Sequence, residues 1–187
     1  VVNFPSFHQA MASAQHIVRL GGPGQLMAVE LVDRTMIELS LRNPAFAPTV
    51  RTALLGEPDA VLLVEFAGDS KAQISPLLDD LETLMGDLGL PGSVVKMVDD
   101  TAQKNLWEVR KAGLNIMMSL RGDGKPVSFI EDCAVPLEHL AEYTAALRTR
   151  SGAMWQHRSD SSPPCEPPDT NISSTPSRRA KSSENSA

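Results

Sequence analysis

Cysteine is scarce in this 187-residue chain, with Cys133 and Cys165 the only two. Two cysteines without ligand spacing exclude a disulfide-rich scaffold and a zinc ribbon, and make a reduced, cytoplasmic setting the default expectation. Cys133, inside an apolar run, is expected to be a small buried hydrophobe. Positive charge is also in deficit. The formal charge is −6 and the pI about 5.2, which argues against a nucleic-acid surface or a basic membrane patch. No apolar run reaches the roughly 18 residues of a membrane span, and the first residues lack the basic-then-apolar pattern of a secretory leader. The chain opens on Val1 rather than Met, so residues upstream are expected. Also missing are GxGxxG and GxxxxGK phosphate loops, HExxH, CxxC and any Ser/His/Asp motif. No metal-ligand set is predicted. His8 and His16 have no third ligand near them and read as surface or boundary residues. His139 reads as a surface residue, and His157 stands isolated with Cys165.

What is present suits one globular domain: 42% of residues are hydrophobic and 21% charged. Ser6 is placed to cap a first helix whose apolar face is Phe7, Ala10, Met11, Ala14, Ile17 and Val18. A glycine-rich run at 21–24 stops it. Residues 26–32 read as a strand, and Asp33 caps a helix through Leu41. Residues 44–58 read as loop with a short helix at 50–55. Residues 60–66, AVLLVEF, are the clearest strand. Ser70 then caps a long helix with Ile74, Leu77, Leu81, Leu84 and Leu88 on its apolar face. Residues 93–98 read as a third strand.

The stretch 101–136 organises the rest. Asp99, Asp100 and Thr101 are placed to cap a helix and suit its positive end. Leu106, Val109, Gly113, Ile116, Met117 and Leu120 form its apolar face. Arg110 falls on or beside that stripe. A guanidinium there needs a partner. One reading is an internal ion pair with an adjacent strand acid, Glu131 or Asp132; the other is a carboxylate receptor, since the planar fork matches a carboxylate. A polar reversal at 121–126 leads to a fourth strand at 127–135. Pro136 opens a last helix with Leu137, Leu140, Ala141, Thr144 and Leu147 on its apolar face.

Strict alternation of strand and helix first suggests a parallel sheet. Glu30, Glu65 and Glu131, each an acid within an apolar strand, suit instead a sheet with one face on helices and the other partly open to solvent or a partner domain. The predicted fold class is therefore α+β, with helices packed on one face of a mainly antiparallel sheet. Residues 151–187 differ in kind. They hold ten serines and five prolines, have neither helical nor strand period, and read as a disordered tail.

Five blocks carry a resemblance: NFPSFHQAM, AVELVDRTMIELS, PDAVLLVEFAGDS, LWEVRKAGL and KPVSFIEDCAVPLEHLAEY. In order and spacing they resemble the C-terminal domain of FAD-linked 2-hydroxyacid oxidoreductases. That group includes D-lactate dehydrogenases, the glycolate oxidase flavin subunit and D-2-hydroxyglutarate dehydrogenase. The most specific pieces are W-x-x-R, Trp107 to Arg110, and V-P-x-x-x-L, Val135 to Leu140.

The resemblance implies a ferredoxin-like cap domain over residues 1–150, incomplete at both ends, from an FAD-dependent dehydrogenase of D-lactate- or glycolate-like acids. FAD would be held mainly by an N-terminal domain outside this chain. Arg110 would grip the substrate carboxylate. Lys125, in the turn before the fourth strand, is the weaker carry-over, because the family's lysine aligns nearer Ile130. The family continues into H-x-G-D-G-N-x-H, whose residues bind a divalent metal or serve the chemistry; here AMWQHRSDSSPPCEPPD stands instead. The parent would be cytoplasmic or peripheral to the inner membrane, with an iron–sulfur electron-transfer partner, and this chain alone inactive. The competing class is a non-enzymatic α+β interaction domain or assembly subunit. A frame shift would produce the change near residue 150, as would a genuine alternative terminus. Translating the coding DNA from codon 148 in all three frames separates the two: apolar strands and a paired-histidine motif in another frame would mark the tail as an artefact. Their absence from every frame would make the tail native.

Overall fold

The computed structural model describes residues 1–118 and 133–156. Among the described residues three antiparallel strands form the sheet: β1 (Val2–Phe4), β2 (Leu26–Asp33) and β3 (Ala60–Phe66), in the order β1-β3-β2. The α+β class holds, with antiparallel pairing throughout the sheet.

β3 is the centre. It pairs with β1 through Val2 opposite Leu62 and with β2 through Leu31 opposite Leu62 and Val32 opposite Val61. Alternate side chains leave opposite faces. Ala60, Leu62 and Phe66 meet Val2, Phe4, helix α1 (Phe7–Ile17) and helix α4 (Lys71–Asp87) in the main core. Phe4, Ile17, Leu62, Leu81 and Met85 are almost wholly inaccessible there. Burying each such side chain contributes roughly 1.5–3 kcal/mol.

The caps sit where the sequence places them. Ser6 Oγ accepts from Gln9 N at 3.2 Å to open α1. Asp59 Oδ2 accepts from Phe7 N at 2.9 Å, so the entry to β3 secures the same helix end. Asp33 Oδ1 accepts from Met36 N at 2.9 Å at the start of α2 (Arg34–Arg42). Ser70 occupies the cap position of α4 but makes no side-chain cap bond. The short helix predicted at 50–55 is α3 (Ala47–Ala53), begun earlier, with Pro48 in its first turn, where a proline loses no helical bond.

The opposite face of the sheet, expected to be partly open, carries a second cluster. Val61 and Leu63 of β3 pack with Ile37 of α2, and Val32, Leu54, Leu106 and Trp107 lie against them. Leu106 and Trp107 belong to α5 (Asp100–Lys111), which continues after Ala112 into α6 (Gly113–Met118). β3 is therefore covered on both faces over Ala60 to Leu63, which explains its unbroken apolar sequence.

Residues 93–98 form less than a strand. Ser93 O accepts from Asn3 N and Val1 O accepts from Val95 N, each at 2.8 Å, around a single bridge between Val2 and Val94. β1 is too short to template more than this. The fourth predicted strand falls mostly on residues outside those described, and residues 133–135 have no strand pairing. Cys133 is exposed rather than buried, because no sheet encloses it. Burial raises the phenol pKa of Tyr143 only after the larger effect of its hydrogen bond with Cys133. A 3-10 turn at Leu137–His139 precedes α7 (Leu140–Gln156), which crosses the composition boundary at residue 150. Arg148 of α7 stacks over the Phe7 ring at 4.5 Å and holds α7 to α1.

Asn3 joins three segments. Its Nδ2 donates to Ala53 O at 3.1 Å and Ser93 O at 3.4 Å, and its Oδ1 accepts from Leu55 N at 3.1 Å. The residue is buried. Asn3→Ala is expected to cost about 1–3 kcal/mol by stranding these groups. Asn3→Asp should cost more, because a carboxylate would face two carbonyl oxygens. Urea unfolding of the three proteins checks both the loss and its order.

Candidate functional site

Helix α5 builds the site. Asp99 Oδ1 accepts from Ala102 N at 2.8 Å, and Asp100 lies in the first turn while Arg110 and Lys111 lie in the last. Both ends therefore complement the helix dipole. Val109 turns onto the sheet and is buried. Arg110 is one residue further on, about 100° around the helix, which brings it to the edge of the apolar stripe. Gly113 follows as the contact with α2: a β-carbon there would lie 3.1 Å from Met36 Cε.

Between α5, α6, α2 and the sheet lies a cavity of about 290 Å³. Its walls include Ile37, Val61, Leu63, Leu106, Val109 and Met117, and among the described residues Arg110 is the only charged side chain lining it. The Arg110 Nε donates to Glu30 Oε2. Glu30 stands opposite Leu63 in the β2–β3 ladder and so faces α5. The side chains of Arg110 and Glu30 are 49% and 32% exposed.

These facts put Arg110 beside the apolar stripe, one of the two placements the sequence allows. The guanidinium is half exposed, because the buried stripe of α5 runs through Val109. Its partner is Glu30 of β2. Glu131 and Asp132, the partners weighed from sequence, lie outside the described residues, as does Lys125. Among the described residues Glu30 is the one ion-pair partner of Arg110. Glu30 was legible as a strand acid, but its pairing spans 80 residues. The available signal was its parity with Val32, which puts both on the face that meets α5.

A second cavity of about 340 Å³ lies at the far end of the same face, where Trp107, Leu63 and Val98 meet Glu65, Lys71 and Asp100. Lys71 Nζ donates to Val98 O at 3.3 Å. Beside this segment, hydrogen bonds and charge from Asp79 and Glu82 raise the Lys96 pKa, tying residues 93–98 to α4. His8 and His139 are exposed, as expected. Among the described residues no group of three or more His, Cys, Asp or Glu side chains is close enough to hold a metal ion.

A dinucleotide needs a phosphate cradle of converging N–H groups or cations. The two cavities offer a mainly apolar lining, with Lys71 in one and the paired Arg110 in the other. The described residues therefore do not fit the pyrophosphate of FAD.

The described residues thus form an α+β domain with one arginine, paired to Glu30, at the edge of an apolar cavity. The chain belongs to the family of FAD linked oxidases, C-terminal domain, which matches residues 1–154. It is 32% identical over 158 residues to a D-2-hydroxyglutarate dehydrogenase of Pantoea ananatis. It is 29% identical over 157 residues to the protein of that name from Escherichia coli, and 26% identical over 157 to that of Haemophilus influenzae. Each match covers 79% of this chain and 15% of the relative. The chain thus spans a small part of the curated relatives it matches. No helix among the described residues is long and apolar enough to cross a membrane.

The half-exposed Arg110–Glu30 pair should add little to stability. A double-mutant cycle with Arg110→Ala and Glu30→Ala, followed by urea unfolding, is expected to give a coupling of about 0.2–1 kcal/mol. A coupling several times larger would mean the pair is buried and structural.

Proposed function

We propose that this chain is the substrate-covering domain of an FAD-dependent oxidoreductase that oxidises a 2-hydroxy acid, with Arg110 receiving the substrate carboxylate. The supporting observation is the placement of Arg110: a guanidinium bonded through Nε, on the wall of an apolar cavity. A carboxylate docks on the two remaining terminal nitrogens in bidentate fashion. The apolar wall excludes water and strengthens that contact. Residues 1–150, with the remainder of α7, carry this role.

The names of the relatives favour D-2-hydroxyglutarate within the wider class that includes D-lactate and glycolate. Lys125, one turn before the predicted fourth strand, is a second candidate grip on the substrate. FAD, which an N-terminal domain would hold, would supply the acceptor for the hydride equivalent of the carbon bearing the hydroxyl. The task of this chain is to fix that carbon by its carboxylate, which converts encounter into alignment. A divalent metal and an iron–sulfur electron acceptor belong to the same reading of the whole enzyme, as does a cytoplasmic or membrane-peripheral location.

In a complete FAD-loaded enzyme carrying this domain, Arg110→Lys replaces a fork with a point charge. The change is expected to raise KM for D-2-hydroxyglutarate and lower kcat. The combined loss in kcat/KM should be on the order of 10–100-fold, the worth of one charge-assisted bidentate contact. Steady-state kinetics with anaerobic flavin bleaching measure it. Unchanged kinetics would remove Arg110 from the substrate grip and favour an interaction domain.

A further inference from the structure

Glu30 has no part in the carboxylate grip described above, yet it holds the group that makes the grip. A guanidinium presents two bidentate edges, one containing Nε and one formed by the two terminal nitrogens. Glu30 Oε2 occupies Nε. Among the described residues no other hydrogen-bond or ion-pair partner engages Arg110. We propose that Glu30 is a positioning residue, fixing Arg110 by its Nε so that a 2-hydroxy acid carboxylate is received end-on by the terminal nitrogens. This inference rests on the Arg110 reading of the function.

Three features support it. Glu30 is anchored in the β2–β3 ladder, opposite Leu63, so its backbone is fixed by the most buried strand of the fold. Arg110 stands in the last turn of α5 on a long side chain that would otherwise lose much rotamer freedom on binding; prior restraint removes that loss. The pair also bridges sheet and helix, whereas Arg34–Glu38 and Lys111–Glu108 are local pairs along single helices. A second consequence concerns charge. Glu30 neutralises Arg110, so the pocket selects its ligand by the geometry of the fork more than by net attraction.

The two truncations of Glu30 separate positioning from competition. Glu30→Gln keeps an oxygen acceptor for Nε and removes a negative charge beside the incoming carboxylate. Glu30→Ala removes the acceptor altogether. The full 187-residue chain is titrated by NMR with D-2-hydroxyglutarate and with its C1 amide, and the ratio of the two affinities is read. A general loss of folding lowers both affinities and leaves the ratio unchanged. The wild-type chain is expected to prefer the acid. Glu30→Gln should keep or increase that preference, and Glu30→Ala should reduce it by about tenfold, the effect of losing one oriented contact. Acid preference that rises in both variants would make Glu30 a competitor for Arg110 and overturn the inference. A preference unaltered by Glu30→Ala, with the affinity for the amide retained, would overturn it equally. Arg110→Lys is the control for the underlying reading. If acid preference survives that change, or is absent from the wild type, the carboxylate-receptor role itself fails, whatever Glu30 does.

Discussion

The structure depends on β3 being buried on both faces. Its backbone is paired on one edge by β1 and on the other by β2, so its amides and carbonyls are satisfied within the sheet. Its side chains then need apolar cover above and below. α1 and α4 supply one side through Met11, Ile17, Leu77 and Leu81. α2 and α5 supply the other through Ile37, Leu106 and Trp107. The second requirement brings α5 against the sheet, and with it Arg110 on the wall of the smaller cavity.

The site follows from a small angular offset. A residue at the position of Val109 is enclosed, and the next residue emerges at the margin. At that margin a guanidinium keeps part of its hydration, so it needs no fully buried counter-ion and avoids the large desolvation penalty of one. Glu30 partners it from β2 with about a third of its side chain exposed. The arrangement leaves a cation that is held, still hydrated in part, and set against an apolar wall.

Local signals were legible in the sequence. Ser6, Asp33 and Asp99 each cap the helix they precede, because a short side-chain oxygen satisfies an otherwise unpaired amide. Residues 60–66 read as a strand and form one with the same limits. Nonlocal features were less legible. β1 has three residues and no period of its own; its pairing with β3 defines it. Residues 93–98 have strand composition but meet only the short outer edge of β1. The second cluster around Val61 depends on how α5 returns to the sheet, which no local pattern encodes. Arg110 was visible as a cation near an apolar stripe, and its family resemblance rests on W-x-x-R. Its partner was not visible, since Glu30 and Arg110 meet only through tertiary folding.

The central claim is that Arg110 is a poised carboxylate receptor, distinct from an ordinary surface ion pair. The most direct measurement follows the arginine Nε–H NMR signals of the full chain during addition of D-2-hydroxyglutarate. Arg34, paired with Glu38 on the exposed face of α2, is an internal control with the same type of contact. The account predicts a saturable shift of the Arg110 signal while that of Arg34 stays in place. Equal responses of the two arginines, or none from Arg110 at concentrations that saturate other shifts, would contradict it.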